Sequence, residues 1–261
     1  MNTNDIVNVI SHESGILQLS LNRPAQLNAL SREVLETLSR LFEQAKHDKS
    51  VKAILITGEG KAFCAGADIT QLAALNGPEG LAFARFGQAV FKQLELLGKP
   101  SLAAIQGYAF GGGCELAMAA TLRISANNTQ FGQPEIKLGV IPGFGGTQRL
   151  SRLIGKGRAL EICLTGRRFS AEEAFHWGLL NEIVTGEQLI PRAMSILNEL
   201  VKLGPVAMSS IIHTIHQGYE LSLEEAFELE ATHFGLCCTT ADKKEGVSAF
   251  LEKRAAVFSG A

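Results

Sequence analysis

The segment that most limits what this chain can become is residues 101–122, SLAAIQGYAFGGGCELAMAATL. It is long and apolar enough to imitate a membrane span, but four glycines and a central Glu115 interrupt it, and both make insertion into a bilayer expensive. A buried strand over 102–106, a turn at Gly111–Gly113 and a helix from Cys114 to about Ala120 account for the same residues at lower cost. Glycine is concentrated in this part of the chain, with nine of the 27 falling between Gly107 and Gly146. Because glycine weakens element interiors and is favoured where backbone turns tightly or approaches a ligand, this is the first place to look for a site.

Strands and helices alternate on either side. Two β-rich runs, 7–10 and 16–21, flank His-Glu-Ser-Gly and predict a hairpin. Ser31 is a predicted N-cap, after which Val34, Leu35, Leu38, Leu41, Phe42 and Ala45 recur at helical spacing. AILIT (53–57) predicts a buried strand, 58–70 a glycine-punctuated loop, and the next stretch a helix from about Glu79 to Leu97, stopped by Gly98-Lys99-Pro100. LRISA (122–126) predicts a short strand before a loop containing FGQPE (131–135) and IPGFGGTQRL (141–150). Ser170 with Glu173 predicts a capping box, and the alternation continues to about Val184. From about Glu187 the signals are almost all helical, with Pro205 near one helix start and Thr240 a predicted N-cap.

This change of pattern predicts an α/β core over 1–190 followed by a helical region over 191–261, within the size range of one large domain or a domain plus an appendage. At 46% hydrophobic and 19% charged residues, the chain has material for a core and too little charge for disorder. A net charge of −2 supplies no overall field toward nucleic acid or anionic lipid, and Arg167-Arg168 and Lys243-Lys244 are too short to be nucleic-acid stripes. The five cysteines are odd in number and form no CxxC pair, which argues against a disulfide framework and a zinc knuckle and fits a reducing compartment. The N-terminal MNTNDIVNVISHESG has neither a basic region ahead of a long apolar run nor an Arg-rich composition, so a cytoplasmic protein is expected.

Three segments could carry chemistry. Glycines 111–113 at a strand-to-helix junction leave unhindered N–H groups at a helix N-terminus, a setting that favours a negative oxygen. Glu115 follows in an otherwise apolar helical turn, where an unpaired carboxylate is costly. Capping its own helix and working on a ligand are both open for it. In AFCAGADI (62–69), Ala65, Gly66 and Ala67 are small enough for a ligand to lie against the backbone, although a plain turn would use the same residues. Glu135 follows Pro134 in the third segment, where a solvated loop carboxylate is the ordinary expectation.

Nucleotide motifs fail on spacing: GxGxxG would need glycine at 116, which is leucine, and Gly60-Lys61 is followed by Ala62 with leucine at 55, so there is no P-loop. His213 and His216 lack a third ligand or an acid cluster and are expected as a helix-surface pair, so no metal is expected. Cys114 has no activating histidine near it in sequence and is expected to be a packed residue.

Taken in order, GKAFCAGADI, KPSLAAIQGYAFGGGCELAM, FGQPEIKLGVIPGFGGTQRL and LTGRRFSAEEAFHWGLL resemble the enoyl-CoA hydratase/isomerase (crotonase) superfamily. The resemblance runs from LNRP at 21–24 to KKEGVSAFLEKR at 243–254, and it is closest to the β-oxidation hydratases because Glu115 and Glu135 match both family glutamates. It implies an α/β fold of the crotonase type, a spiral of ββα units with a C-terminal helical region that assembles homotrimers, usually paired into hexamers. It implies hydration of trans-2-enoyl-CoA to (3S)-3-hydroxyacyl-CoA with no metal or redox cofactor, coenzyme A entering as part of the substrate. The backbone N–H groups of Ala67 and Gly112 would form the oxyanion hole, Glu115 would mainly activate the water, and Glu135 would mainly supply the C2 proton. Coenzyme A would run along Ala65, Ala67, Asp68, Ile69 and Thr70, while Phe250 and Lys253 would reach the coenzyme A of a neighbouring subunit. Thr70 stands where a common hydratase pattern has lysine, which removes one contact to the coenzyme A phosphates. A Δ3,Δ2-enoyl-CoA isomerase and a non-catalytic acyl-CoA- or RNA-binding relative are the alternatives; the paired glutamates argue against a non-catalytic protein and the net charge against RNA.

Overall fold

The strand AILIT is apolar at its first four positions, and in the folded chain Ile54 and Ile56 join one hydrophobic core while Ala53 and Leu55 join another. A strand of this kind must lie inside a sheet covered on both faces. The computed structural model, which describes residues 6–261, builds that sheet; the first five residues of the N-terminal stretch considered above for targeting signals lie outside the described residues.

Among the described residues nine strands are formed: β1 (Val7–Ser11), β2 (Ile16–Leu21), β3 (Ala53–Gly58), β4 (Ser101–Ile105), β5 (Tyr108–Phe110), β6 (Leu122–Ala126), β7 (Gln130–Gly132), β8 (Arg168–Ser170) and β9 (Glu182–Val184). A six-stranded sheet runs β1-β2-β3-β4-β6-β9, antiparallel only at the predicted β1–β2 hairpin, and a smaller sheet runs β5-β7-β8. The successive strand pairs β4–β5 and β6–β7 each place one strand in each sheet, with helices between the pairs, as a ββα arrangement requires.

The helices are α1 (Arg32–His47), α2 (Ile69–Leu72), α3 (Gly77–Glu95), α4 (Gly112–Ala119), α5 (Gly146–Ile154), α6 (Lys156–Thr165), α7 (Ala171–His176), α8 (Leu189–Leu200), α9 (Pro205–Gly218), α10 (Leu223–Cys238) and α11 (Ala241–Glu252). In α1 the Ser31 hydroxyl accepts from Val34 N at 3.3 Å, and all six positions anticipated from the spacing are buried. The helix expected from Glu79 to Leu97 instead spans Gly77 to Glu95. Asn76 caps it, accepting from Glu79 N at 3.0 Å while the Glu79 carboxylate accepts from Asn76 N at 2.9 Å.

The expected turn at Gly111–Gly113 contracts to Gly111 alone (φ 48°), because α4 already begins at Gly112 and the short β5 precedes it. Likewise, part of the expected 141–150 loop is helical, since α5 starts at Gly146. The first difference arises from long-range pairing: β5 lies beside β7 and bridges Cys64 through Ala109.

Residue 190, where the helical pattern takes over, falls in the first turn of α8. This helix covers the second face of the main sheet, packing Leu189, Ala193 and Leu197 on Leu55, Leu102, Ala104 and Ile124. The remaining helices, α9 to α11, keep large apolar side chains outside: Ile215, Phe234 and Phe250 are 64%, 72% and 83% exposed. Among the described residues no single helix is long and apolar enough to cross a membrane.

At the middle of α3, Gly87 faces the buried ring of Phe144, which lies edge-on to Phe83 at 5.1 Å and to Phe91 at 5.7 Å. A Cβ at Gly87 would press into that ring. Replacing glycine by alanine in a helix interior ordinarily gains about 1 kcal/mol, but overpacking a filled core costs about 1–3 kcal/mol and should win. Gly87→Ala is therefore expected to lower the calorimetric Tm, and a raised Tm would show that helix propensity prevails here.

Candidate active site

The loop after β3 behaves as an extra strand made of small residues. Ala65 N donates to Leu27 O at 2.9 Å, Leu30 N to Gly66 O at 2.8 Å and Asp68 N to Leu30 O at 3.0 Å, which ties one edge to residues 27–30. The other edge is tied to β5, where Cys64 N donates to Tyr108 O at 3.0 Å and Phe110 N to Cys64 O at 3.1 Å. This approach needs glycine at 113, because a Cβ there would collide with the Cys64 carbonyl oxygen.

The consequence is that the N-terminus of α4 meets the loop. The Cβ that Gly112 lacks would lie 3.3 Å from Ala67 N, and that of Gly66 would lie 3.8 Å from Gly112 N. Among the described residues, neither Ala67 N nor Gly112 N donates to an internal acceptor. Two free backbone donors thus lie side by side, one of them at a helix N-terminus, where the peptide dipoles favour negative charge.

Both glutamates flank this pair. Glu115, 1% exposed on α4, accepts at Oε1 from Phe144 N at 2.8 Å and Gly146 N at 2.6 Å, so it does more than cap its helix. Glu135 opens a 3-10 turn (Glu135–Leu138), and its carboxyl presses against Gly111, with Cδ 3.2 Å from where a Cβ would stand. It is half-buried, not a fully solvated loop carboxylate. Gln133, wholly buried, links the two: with its amide oriented to donate, the nitrogen lies 3.2 Å from both Glu135 carboxylate oxygens, and the amide packs beside Gly146 next to Glu115.

Burial raises the Glu115 carboxyl above the usual range, and the nearby Glu135 raises it further, against the pull of the Gly146 and Phe144 N–H groups and of Arg149. Burial raises Glu135 as well. Two carboxyls that hold protons more tightly than normal, beside two free N–H donors, can exchange protons with a bound molecule near neutral pH.

The other anticipated residues divide into two groups. Asp68 caps α2 and belongs to the scaffold: Oδ1 accepts from the Thr70 hydroxyl at 2.7 Å and from Thr70 N at 3.1 Å, while Oδ2 takes both Arg23 Nη atoms at 3.0 Å. The Thr70 hydroxyl hydrogen bond and then Arg23 hold this carboxyl below its ordinary range despite burial. Ile69 and Thr70 are exposed at the start of α2, directly after the loop that carries the half-buried Ala65 and Ala67. Phe250 and Lys253 are not packed into this cluster; Phe250 is exposed on α11, and Lys253 ends that helix in a left-handed conformation (φ 55°).

Cys114 is buried as expected, with its thiol pushed up by burial and by Glu115 and Glu135, so it is not a thiolate nucleophile. His213 and His216 are half-buried, a departure from the expected surface pair. His213 lies 5.3 Å ring to ring from His233 on α10, and burial pushes the His216 pKa down. Sequence reasoning did not single out Arg23, Gln133, Phe144 or Arg149. All except Arg23 lie within one quoted motif, but nothing in their residue types reveals which carboxyl they address.

A family model described as enoyl-CoA hydratase/isomerase matches residues 11–261, and the chain belongs to that family. Within it, the chain is 42% identical over 252 residues to the short-chain-enoyl-CoA hydratase of Clostridium acetobutylicum, covering 96% of this chain and 97% of that one. It is 42% identical over 251 residues to the crotonyl-CoA hydratase of Syntrophomonas wolfei, covering 96% of each. The crystal structure of an enoyl-CoA hydratase from Bacillus anthracis superposes with a TM-score of 0.95 at 36% identity, covering 98% of this chain and all of that one. The expected crotonase-type α/β fold is thereby established.

Gly111 holds a backbone conformation (φ 48°, ψ −123°) that disfavours other residues, and a side chain there would strike the Glu135 carboxyl. A displacement of about 1 Å can cost roughly 100-fold in rate. Gly111→Ala is expected to lower the turnover of crotonyl-CoA by about that factor while the variant still melts cooperatively.

Proposed function

We propose that this protein adds water across the 2,3 double bond of a trans-2-enoyl-CoA to give the (3S)-3-hydroxyacyl-CoA. The observation that carries this reading is the convergence of two proton-retaining carboxyls on two free backbone donors. As hydroxide equivalent adds at C3, negative charge collects on the thioester oxygen, where the Ala67 and Gly112 N–H groups stabilise it. Glu115 takes the proton from the attacking water; its Oε1 is held by two N–H groups, leaving Oε2 for that water. Glu135 gives a proton to C2. One water is consumed and both carboxyls are restored by proton exchange; the reaction is redox-neutral, and coenzyme A enters only as part of the substrate.

Coenzyme A would lie along Ala65 to Thr70. The Thr70 hydroxyl is turned onto Asp68, so it offers no substitute for a lysine at the phosphates. The exposed apolar side chains of α9 to α11 support assembly into homotrimers or hexamers, in which Phe250 and Lys253 would complete a neighbour's coenzyme A site. Light scattering after size-exclusion chromatography should return a mass three or six times 28.0 kDa; a monomer would oppose this assembly. Five unpaired cysteines support work in the reducing cytoplasm.

Glu115→Gln and Glu135→Gln should each lower crotonyl-CoA hydration by about 10²- to 10⁴-fold while acyl-CoA binding stays measurable. Near-normal turnover in either variant overturns the mechanism. Oxygen from labelled water should appear at C3, whereas an isomerase would shuttle a proton and incorporate none.

The pH dependence follows from the direction of both shifts. Activity needs one carboxyl ionised and the other protonated, so kcat/KM should be bell-shaped, failing at low pH when the base is protonated and at high pH when the acid is lost. Because burial raises both groups, both apparent pKa values, which belong to the pair, should lie above the ordinary glutamate value of about 4.3. An acid limb at that ordinary value contradicts the assignment.

A further inference from the structure

Behind Glu115 lies an ion pair that the hydration chemistry does not use directly. Arg149 on α5 meets Glu95, the last residue of α3, through two parallel bonds: Nε to Oε1 and Nη2 to Oε2, both 2.6 Å. The two side chains are only 16% and 17% exposed. A third bond runs from Arg149 Nη1 to the Phe144 carbonyl at 2.8 Å. Phe144 is also the residue whose N–H, with that of Gly146, points at Glu115 Oε1. Gly145 between them is left-handed (φ 106°), and a Cβ there would strike the Arg149 guanidinium. The 144–146 turn is therefore gripped by Arg149 through its carbonyl side while its N–H groups face Glu115.

We propose that Arg149, anchored by Glu95, is a positioning residue that holds the 144–146 turn so that both of its N–H groups converge on the Glu115 carboxyl. The inference rests on Glu115 acting as the base in the hydration reading above. Arg149 acts on Glu115 in two ways. It fixes the two donors, and its positive charge favours the ionised carboxyl against burial and Glu135. The other titratable groups facing Glu115 are the thiols of Cys64, Cys114 and Cys163, all pushed up by burial and hence uncharged. The Glu95–Arg149 pair is faced by Arg123 of β6 and by His216 of α9, whose pKa burial pushes down. Lysine cannot reproduce the guanidinium fork, since it carries the charge on a single point.

The test is steady-state hydration of crotonyl-CoA as a function of pH by Arg149→Met, Arg149→Lys and Glu95→Gln, each checked by thermal melting. Arg149→Met should lower kcat by roughly 10- to 100-fold with KM within about twofold. It should also move the acid limb of kcat/KM to higher pH, because losing the cation disfavours the carboxylate. Arg149→Lys keeps the charge but not the fork, so kcat should fall and the limb should rise by less than in Arg149→Met, because only the hold on the two N–H donors is lost. Glu95→Gln, which preserves side-chain shape but loosens the anchor, should also lower kcat, and it decides the matter if Arg149→Met does not fold. Folded variants with wild-type kcat and an unmoved limb overturn the proposal. A fall in Tm with kcat and limb unchanged does so too, since it marks a merely structural pair. An active Glu115→Gln variant would instead overturn the hydration mechanism itself, so the two failures are distinguishable.

Discussion

The position of every group in the site depends on one backbone contact, the Cys64 carbonyl passing over Gly113. Any side chain at 113 would push the loop away, and with it the row of hydrogen bonds that seats residues 62–68 between residues 27–30 and β5. With that contact in place, Ala67 N and Gly112 N lie beside each other, although 45 positions separate them in the chain. The same seating lets Arg23 reach Asp68 and gives the loop a second anchor at the start of α2.

Around this frame the carboxyl chemistry is a balance between comparable quantities. Removing a carboxylate from water costs several kcal/mol even after relaxation, and a hydrogen bond to a charged group returns about 1.5–3 kcal/mol. Glu115 has two such bonds from backbone donors, together with the field of Arg149, set against near-complete burial and the neighbouring Glu135. Burial and Glu135 prevail, but the opposing bonds keep the margin small enough for the group to change protonation state near neutral pH. Glu135 reaches a similar position by a different route, through partial burial and the Gln133 amide.

Local features were legible from the chain alone. The six buried positions of α1, the Ser170–Glu173 capping box, Pro205 at a helix start and the Thr240 cap all follow from residues within a few positions of one another, and all are observed. The elements misjudged, β5 and the starts of α4 and α5, owe their form to distant partners. No window of sequence around Tyr108–Phe110 contains Cys64 or β7, so the strand could not be read there. The cap on α3 was a local signal that went unread, Asn76 followed three residues later by Glu79.

By itself, then, the sequence determined the alternating pattern, the family and the four residues around which the chemistry is proposed, because glycines 111–113, Ala67, Glu115 and Glu135 stand in recognisable strings. Only the tertiary structure decided how Glu115 and Glu135 are held. Phe144, Gly146 and Arg149 act on Glu115, and Gln133 reaches Glu135, through directions of N–H and side-chain bonds that depend on where α3, α4 and α5 pack. It also decided that α8 closes the sheet while α9 to α11 keep apolar faces outward. Hydrophobic spacing specifies that a face must be covered, but the covering partner is settled only when the whole chain is packed.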